Sequence, residues 1–527
     1  MEKKLKQIFL FALLSLIVIS PRAYALENDT GPVEEKLELS PDLVLDEKEI
    51  VEDLEVYDGP RNPNFNRQES LSSGSSNKGL MVDPFSPDTE VKEEFSRQYS
   101  NFLPRKFDLR ALNRATPVRD QGPNGSCWAF ASYGSAESVL LPREHTDFSE
   151  KNMRNTHGYD WRPDQGGTHQ VAAAYLARWS GPILERDEPY SPYDFRSPFG
   201  LRPVKELDEA LYIPDTVNGN NQAHLKRALM NYGASYTTVG ANEYYTNKYI
   251  GSHYMPPNAG GYADHAVTII GWDDDYPASN FKFRPPANGA WIVKNSWGSH
   301  WGNLNGYYYV SYYDKFIGRS NCVFSLKNKD RNKEIWQHDY LGMTSTIGNG
   351  RTAWFSNVFG PVQRDSEITE IGVFVPSAGM SYEVYVNTGF GSGSGFNNRK
   401  KVASGNFTYA GYQTVKFPGQ RIARGSYFAP IVKFTSNGNY YPIPIEQPIR
   451  GYSSRASAQA NQSFISYDGN YWMDLTSQRY NSNVSLKAFT RPVGSSPAPD
   501  VDPRPNPDPR PDPEPRPDPR PSLIKIE

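Results

Sequence analysis

The chain has 527 residues, with 56 lysines and arginines against 59 aspartates and glutamates and a formal net charge of -3. That length exceeds one ordinary domain, and the near-neutral balance excludes the global basic field that nucleic-acid binding requires. Two cysteines, Cys127 and Cys322, exclude a disulfide framework as the source of stability.

At the N-terminus, Lys3, Lys4 and Lys6 precede an apolar run at 8–19 and the small-residue site Ala23-Tyr24-Ala25. This is the pattern of a secretory signal cleaved after Ala25, so residues 1–25 are expected to be removed. The run is too short to cross a bilayer comfortably, and no other segment has the length and apolarity to do so. The expected product is secreted or held at a cell surface, with periplasmic transit open and no transmembrane segment after cleavage. Low cysteine usage in an exported protein suits a bacterial source. From 26 to 103 the chain is acidic and then rich in Ser, Gly and Asn, with no sustained apolar periodicity before residue 91. It is expected to be largely extended.

Small and apolar residues at helical spacing follow Cys127, after the turn formers Pro123, Asn124 and Gly125, so Cys127 should open a buried helix. There the helix dipole favours a thiolate over a thiol. Periodic segments continue with a helix at 171–179 behind Gly166-Gly167, a helix at 223–232 and a strand at 234–239. His265 precedes the apolar run 266–272, which has the composition of a strand buried on both faces. Its imidazole could act as base and then acid. Asn295 ends the strand 290–294, and its side-chain oxygen could accept the ring N–H of His265 and fix the tautomer. The side-chain NH2 of Gln121 and the backbone N–H of Cys127 could stabilise an oxyanion. Residues 307–312 complete this region as one more strand.

The four residue types Gln121, Cys127, His265 and Asn295, in that order and in three separate motifs, resemble those of the papain-like cysteine peptidases over roughly 104–328. The resemblance implies an α+β fold with a helical lobe on the Cys127 side and a β-barrel-like lobe carrying His265 and Asn295. It matches Gln121 to the oxyanion glutamine, Cys127 to the nucleophile, His265 to the base and Asn295 to the orienting amide. Trp297 matches the tryptophan that shields the histidine–asparagine bond. It puts Gly166 and Gly167 on the cleft wall, where a segment without side chains lets an extended peptide hydrogen-bond to the backbone. Thr168, His169, Ala263 and Asp264 are then expected near the pocket for the side chain two residues before the scissile bond. Residues 26–103 become a pro-segment lying across the cleft in the non-productive direction. Cys322 is expected as a buried free thiol, because a permanent bond to Cys127 would abolish activity.

From 333 to 492, short strand-like runs such as 371–376, 382–386 and 413–417 alternate with Gly, Ser and Asn clusters, the pattern of an all-β sandwich. Following a peptidase, it resembles the lectin-like domain of certain bacterial surface peptidases, with Trp354, Tyr440, Tyr441 and Trp472 as aromatics for stacking on a cell-surface glycan. The tail at 493–527 repeats Asp-Pro and Arg-Pro and is expected to be an extended spacer. No Cys or His cluster has metal-ligand spacing, no compact acidic loop argues for calcium, and no cofactor is implied. The function expected from these residues is a secreted cysteine endopeptidase, made as a precursor and acting on peptide or protein substrates through a thioester. A silent peptidase scaffold serving as an adhesin or glycan binder stays open at this level, as does a transpeptidase.

Overall fold

The helix Cys127–Leu140 is buried along almost its whole length, which its run of Ala, Ser and Gly allows because small side chains let neighbouring backbones approach. Gly134 shows this: a Cβ there would meet Thr268 Oγ1 at 2.7 Å. In this computed structural model, which describes residues 49–65, 79–91, 103–216, 218–391, 395–476 and 480–495, that helix is the post around which the first domain is built. The helices Glu150–Thr156 and His169–Ala177 pack beside it on one side. On the other side lies the strand His265–Asp273, paired antiparallel with Ser235–Val239 and Ala290–Lys294. The run of apolar residues after His265 is buried as a central strand requires, with only Asp273 partly open.

The helix expected at 223–232 is found at Gln222–Asn231, and Tyr307–Ser311 forms the strand expected at 307–312. The long strand Lys205–Ile213 has no signal in the apolar pattern, because its first half is Lys-Glu-Leu-Asp-Glu. Those charges are paired: Lys333 Nζ lies 2.8 Å from Glu206 and Lys327 Nζ lies 2.9 Å from Asp208.

Described strands of the second domain lie in three sheets, two of which pack through a shared apolar core. Phe355, Val384 and Phe434 face Ile371, Val415 and Leu486 in one cluster. One of these sheets does not stop at the domain boundary. Ala410–Ile422 pairs with Lys205–Ile213 at four positions, Ala410 opposite Tyr212 through Gln413 opposite Glu209, so a single sheet of 13 strands runs through both domains. The sandwich aromatics behave differently from the sequence expectation. Trp354 is 8% exposed and Trp472 fully buried, stacked on Phe396, because their large apolar faces fill the core. Tyr440 alone of the four is widely open, at 54%. The signal at 1–25, the periodic stretch after residue 91 and the proline-rich repeats lie outside the described residues.

Two pieces of the N-terminal region strap the molecule. Tyr57–Asp58 adds a short antiparallel strand to Ser345–Gly348 in the second domain, and the Glu49 carboxylate accepts the backbone N–H of Phe396 at 2.7 Å. Residues 79–91 touch both domains. Leu80 bridges Gly167 in parallel fashion, and Asp88 bridges Ser377.

Candidate active site

Cys127 is the first residue of its helix and His265 the first of its strand, so both side chains start from rigid elements. The backbone N–H of Ala266, next to the imidazole, donates to Cys127 Sγ at 3.3 Å. His265 Nε2 lies 2.8 Å from Asn295 Oδ1, an oxygen that also accepts the Ser296 N–H at 2.9 Å. An amide oxygen so held requires a proton on Nε2, which makes Nδ1 the basic nitrogen of this tautomer. Trp297 stacks on the imidazole with centroids 4.6 Å apart and 22° between planes, and Trp301 meets Trp297 edge-on. The histidine–asparagine bond therefore lies under an aromatic cover.

Gln121 is buried beside these groups. Its Nε2 donates to the Asn124 carbonyl at 2.7 Å, and its Oε1 accepts from Ser296 Oγ at 2.7 Å. The Tyr190 hydroxyl donates to the Gln121 carbonyl at 2.8 Å and is linked to Ser126 Oγ. Asn124, Tyr190 and Ser296 had no sequence signal of their own. Asn124 acts through a backbone carbonyl, Ser296 through a hydroxyl that any serine carries, and Tyr190 sits 64 positions from its partner Ser126.

Gly166 and Gly167, expected on the cleft wall, have no room for a side chain. A Cβ on Gly167 would lie 2.5 Å from the Trp128 ring; one on Gly166 would lie 2.4 Å from the Gly79 carbonyl. The N-terminal region pairs with Gly167, whose N–H donates to Gly79 O and whose carbonyl accepts from Met81 N–H, both at 3.1 Å. Thr168 caps the helix His169–Ala177 and is buried. Ala263 lines the neighbouring cavity, together with His169. Asp264 Oδ1 accepts the Ala241 N–H at 2.7 Å.

The Cys127 thiol is pushed up to about 12, first by burial, with the Asp264 charge adding to it and backbone N–H groups, Ala266 foremost, opposing it. Burial here opposes the thiolate that the helix start favours. Cys322 is a second buried free thiol. Among the described residues there is no group of His, Cys, Asp and Glu able to hold a metal ion, and no helix long and apolar enough to cross a membrane.

Residues 103–325 match the model of the papain family cysteine proteases, and residues 335–490 match that of the lectin like domain. Cysteine proteinase 1 of Zea mays is 31% identical over 219 residues, 40% of this chain and 56% of the maize protein, so the chain spans about half that relative's length. Cathepsin J of Mus musculus is 28% identical over 269 residues, 47% of this chain and 76% of its own. A solved structure of the cysteine protease and lectin-like domains of Cwp84, a surface layer associated protein of Clostridium difficile, has a TM-score of 0.72 at 24% identity. It covers 83% of this chain and 98% of that one. A clostridial Cwp84 variant after propeptide cleavage has a TM-score of 0.65 at 25% identity, over 73% and 99%.

Proposed function

We propose that this chain, which joins a papain family cysteine protease domain at 103–325 to a lectin like domain at 335–490, is an exported cysteine endopeptidase held here in its precursor form. The observation that carries the reading is the juxtaposition across the cleft. Cys127 Sγ takes a hydrogen bond from Ala266, and the adjoining His265 is oriented by Asn295 at 2.8 Å.

In the proposed reaction, His265 Nδ1 accepts the thiol proton and Cys127 Sγ attacks the peptide carbonyl carbon. The Cys127 N–H and the Gln121 side-chain NH2 donate to the resulting oxyanion. His265 returns the proton to the leaving amine, the C–N bond breaks, and a thioester remains. Water, deprotonated by the same imidazole, then releases the acid and restores the thiol. Asn295 positions the ring throughout.

Residues 79–81 lie on the wall where an extended substrate would bind, in parallel with Gly167. This fits a pro-segment in the non-productive direction, removed near residue 104. While it stays, burial keeps the sulfur protonated. Its departure would admit water and let a protonated His265 stabilise the thiolate. The N-terminal signal pattern and the sandwich fit export and a cell-surface role; of the four aromatics expected to stack on a glycan, Tyr440 is the one widely open.

The test compares the full chain with protein trimmed at residue 104, using a fluorogenic peptide library and iodoacetamide. Trimmed protein is expected to hydrolyse peptides and to alkylate at Cys127 much faster than the full chain. Cys127→Ala is expected to lose both. Hydrolysis that survives Cys127→Ala defeats the reading, and ligation to an added amine in place of hydrolysis assigns a transpeptidase.

A further inference from the structure

Asp83 is the buried acid of the segment that crosses the cleft, and it contacts both domains. Its Oδ1 accepts from Thr168 Oγ1 at 2.8 Å and from the Tyr452 hydroxyl at 2.9 Å, and its Oδ2 accepts from Gln170 Nε2 at 2.9 Å. Gln170 Nε2 also donates to the Phe85 carbonyl at 3.0 Å, which fixes its NH2 toward the acid. Thr168 and Gln170 belong to the protease domain, whereas Tyr452 belongs to the sandwich and packs on Tyr159 and Trp161 at 4.8 and 5.2 Å. Three neutral donors thus converge on one carboxyl.

We infer that Thr168, Gln170 and Tyr452 form a carboxyl-binding subsite shared by the two domains, which recognises an acidic side chain on an extended peptide and is filled in the precursor by Asp83. The inference rests on residues 79–91 being an inhibitory segment. A protonated carboxyl can present its O–H to the Thr168 and Tyr452 hydroxyls, which accept as well as donate, and its carbonyl oxygen to the Gln170 N–H.

The surroundings of the acid make its binding pH-dependent. The titratable groups facing it are the phenols of Tyr159, Tyr212, Tyr236 and Tyr452. Asp215, Arg319 and the imidazole of His169, itself held neutral by burial, line a cavity of about 880 Å³ that Asp83 also lines. Burial pushes the Asp83 carboxyl up to about 7, against the three hydrogen bonds. A raised acid favours its protonated form when docked. Docking is therefore strongest below the free carboxyl range and weakens as pH rises toward 7.

The test needs no catalysis: hydrogen exchange of residues 79–91 in full-length Cys127→Ala protein, corrected for the intrinsic effect of pH on exchange. Protection with Asp83 present is expected to fall by about tenfold or more between pH 5 and pH 8. Asp83→Ala is expected to lose most protection at pH 5 and to show little further change at pH 8, whereas Asp83→Asn, a neutral isostere of the protonated acid, is expected to keep protection that no longer falls with pH. Tyr452→Phe, which keeps the ring packing, is expected to lower protection severalfold at pH 5 and to cost little once Asp83 is Ala. Full protection at pH 5 in Asp83→Ala, or an unchanged fall with pH in that variant, overturns the inference. Loss of hydrolysis in the trimmed enzyme would bear on the peptidase reading alone.

Discussion

Asn295 holds two hydrogen bonds through one oxygen, from the imidazole and from the Ser296 N–H. A hydrogen bond to a group that becomes charged contributes about 1.5–3 kcal/mol. Asn295→Ala is accordingly expected to lower kcat/KM by about 10- to 100-fold while leaving thermal unfolding nearly unchanged. Steady-state kinetics on a fluorogenic peptide beside a melting curve checks both. At this scale the site was legible wherever side chains of distinctive chemistry recur in order, as with Gln121, Cys127, His265 and Asn295. Tyr452 was not legible, because nothing in its local sequence marks a contact with an acid in the N-terminal segment. The raised Cys127 thiol was hidden for a related reason: its first cause is complete burial, whereas the sequence displays only the helix start that opposes it.

Secondary-structure elements fix these side chains through close approach, and Gly167 is one point where no side chain fits. It lies between Trp128 on the helix Cys127–Leu140 and the strand-like residues 79–81. Gly167→Ala places a Cβ 2.5 Å from a fully buried ring. The indole cannot swing aside as a surface side chain would, so the variant is expected to lose about 1–3 kcal/mol of stability, read as a lower midpoint in urea. Helices were readable from small and apolar residues at helical spacing, and the central strand from an unbroken apolar run. The strand Lys205–Ile213 was not, since its acidic residues are neutralised by lysines near the end of the domain and beyond it. Local sequence cannot display that pairing.

Across the whole molecule, the two domains share a sheet, a core and an ion-pair network. The protease core cluster includes Leu341, Phe374, Tyr412 and Tyr452 from beyond residue 333. Lys327 reaches Asp208 on one side and Glu370 of the sandwich on the other, each at 2.9 Å. A boundary drawn from composition near 333 marks a change of strand pattern, yet the packing and hydrogen bonding run through it. Such continuity makes the two parts one cooperative unit, and the seam has a narrow point. Gly411 has φ of +112°, and a Cβ there would lie 2.0 Å from the Ala210 carbonyl. A β-branched residue at that angle is strongly disfavoured, and the clash is with backbone that has no rotamer to change. The wild-type chain is expected to unfold in one calorimetric transition, matched by tryptophan fluorescence. Gly411→Val is expected to separate the seam, giving a lower-temperature transition with only part of the fluorescence change. A single transition with undiminished midpoint in Gly411→Val would mean that the sheet junction contributes little to coupling the domains.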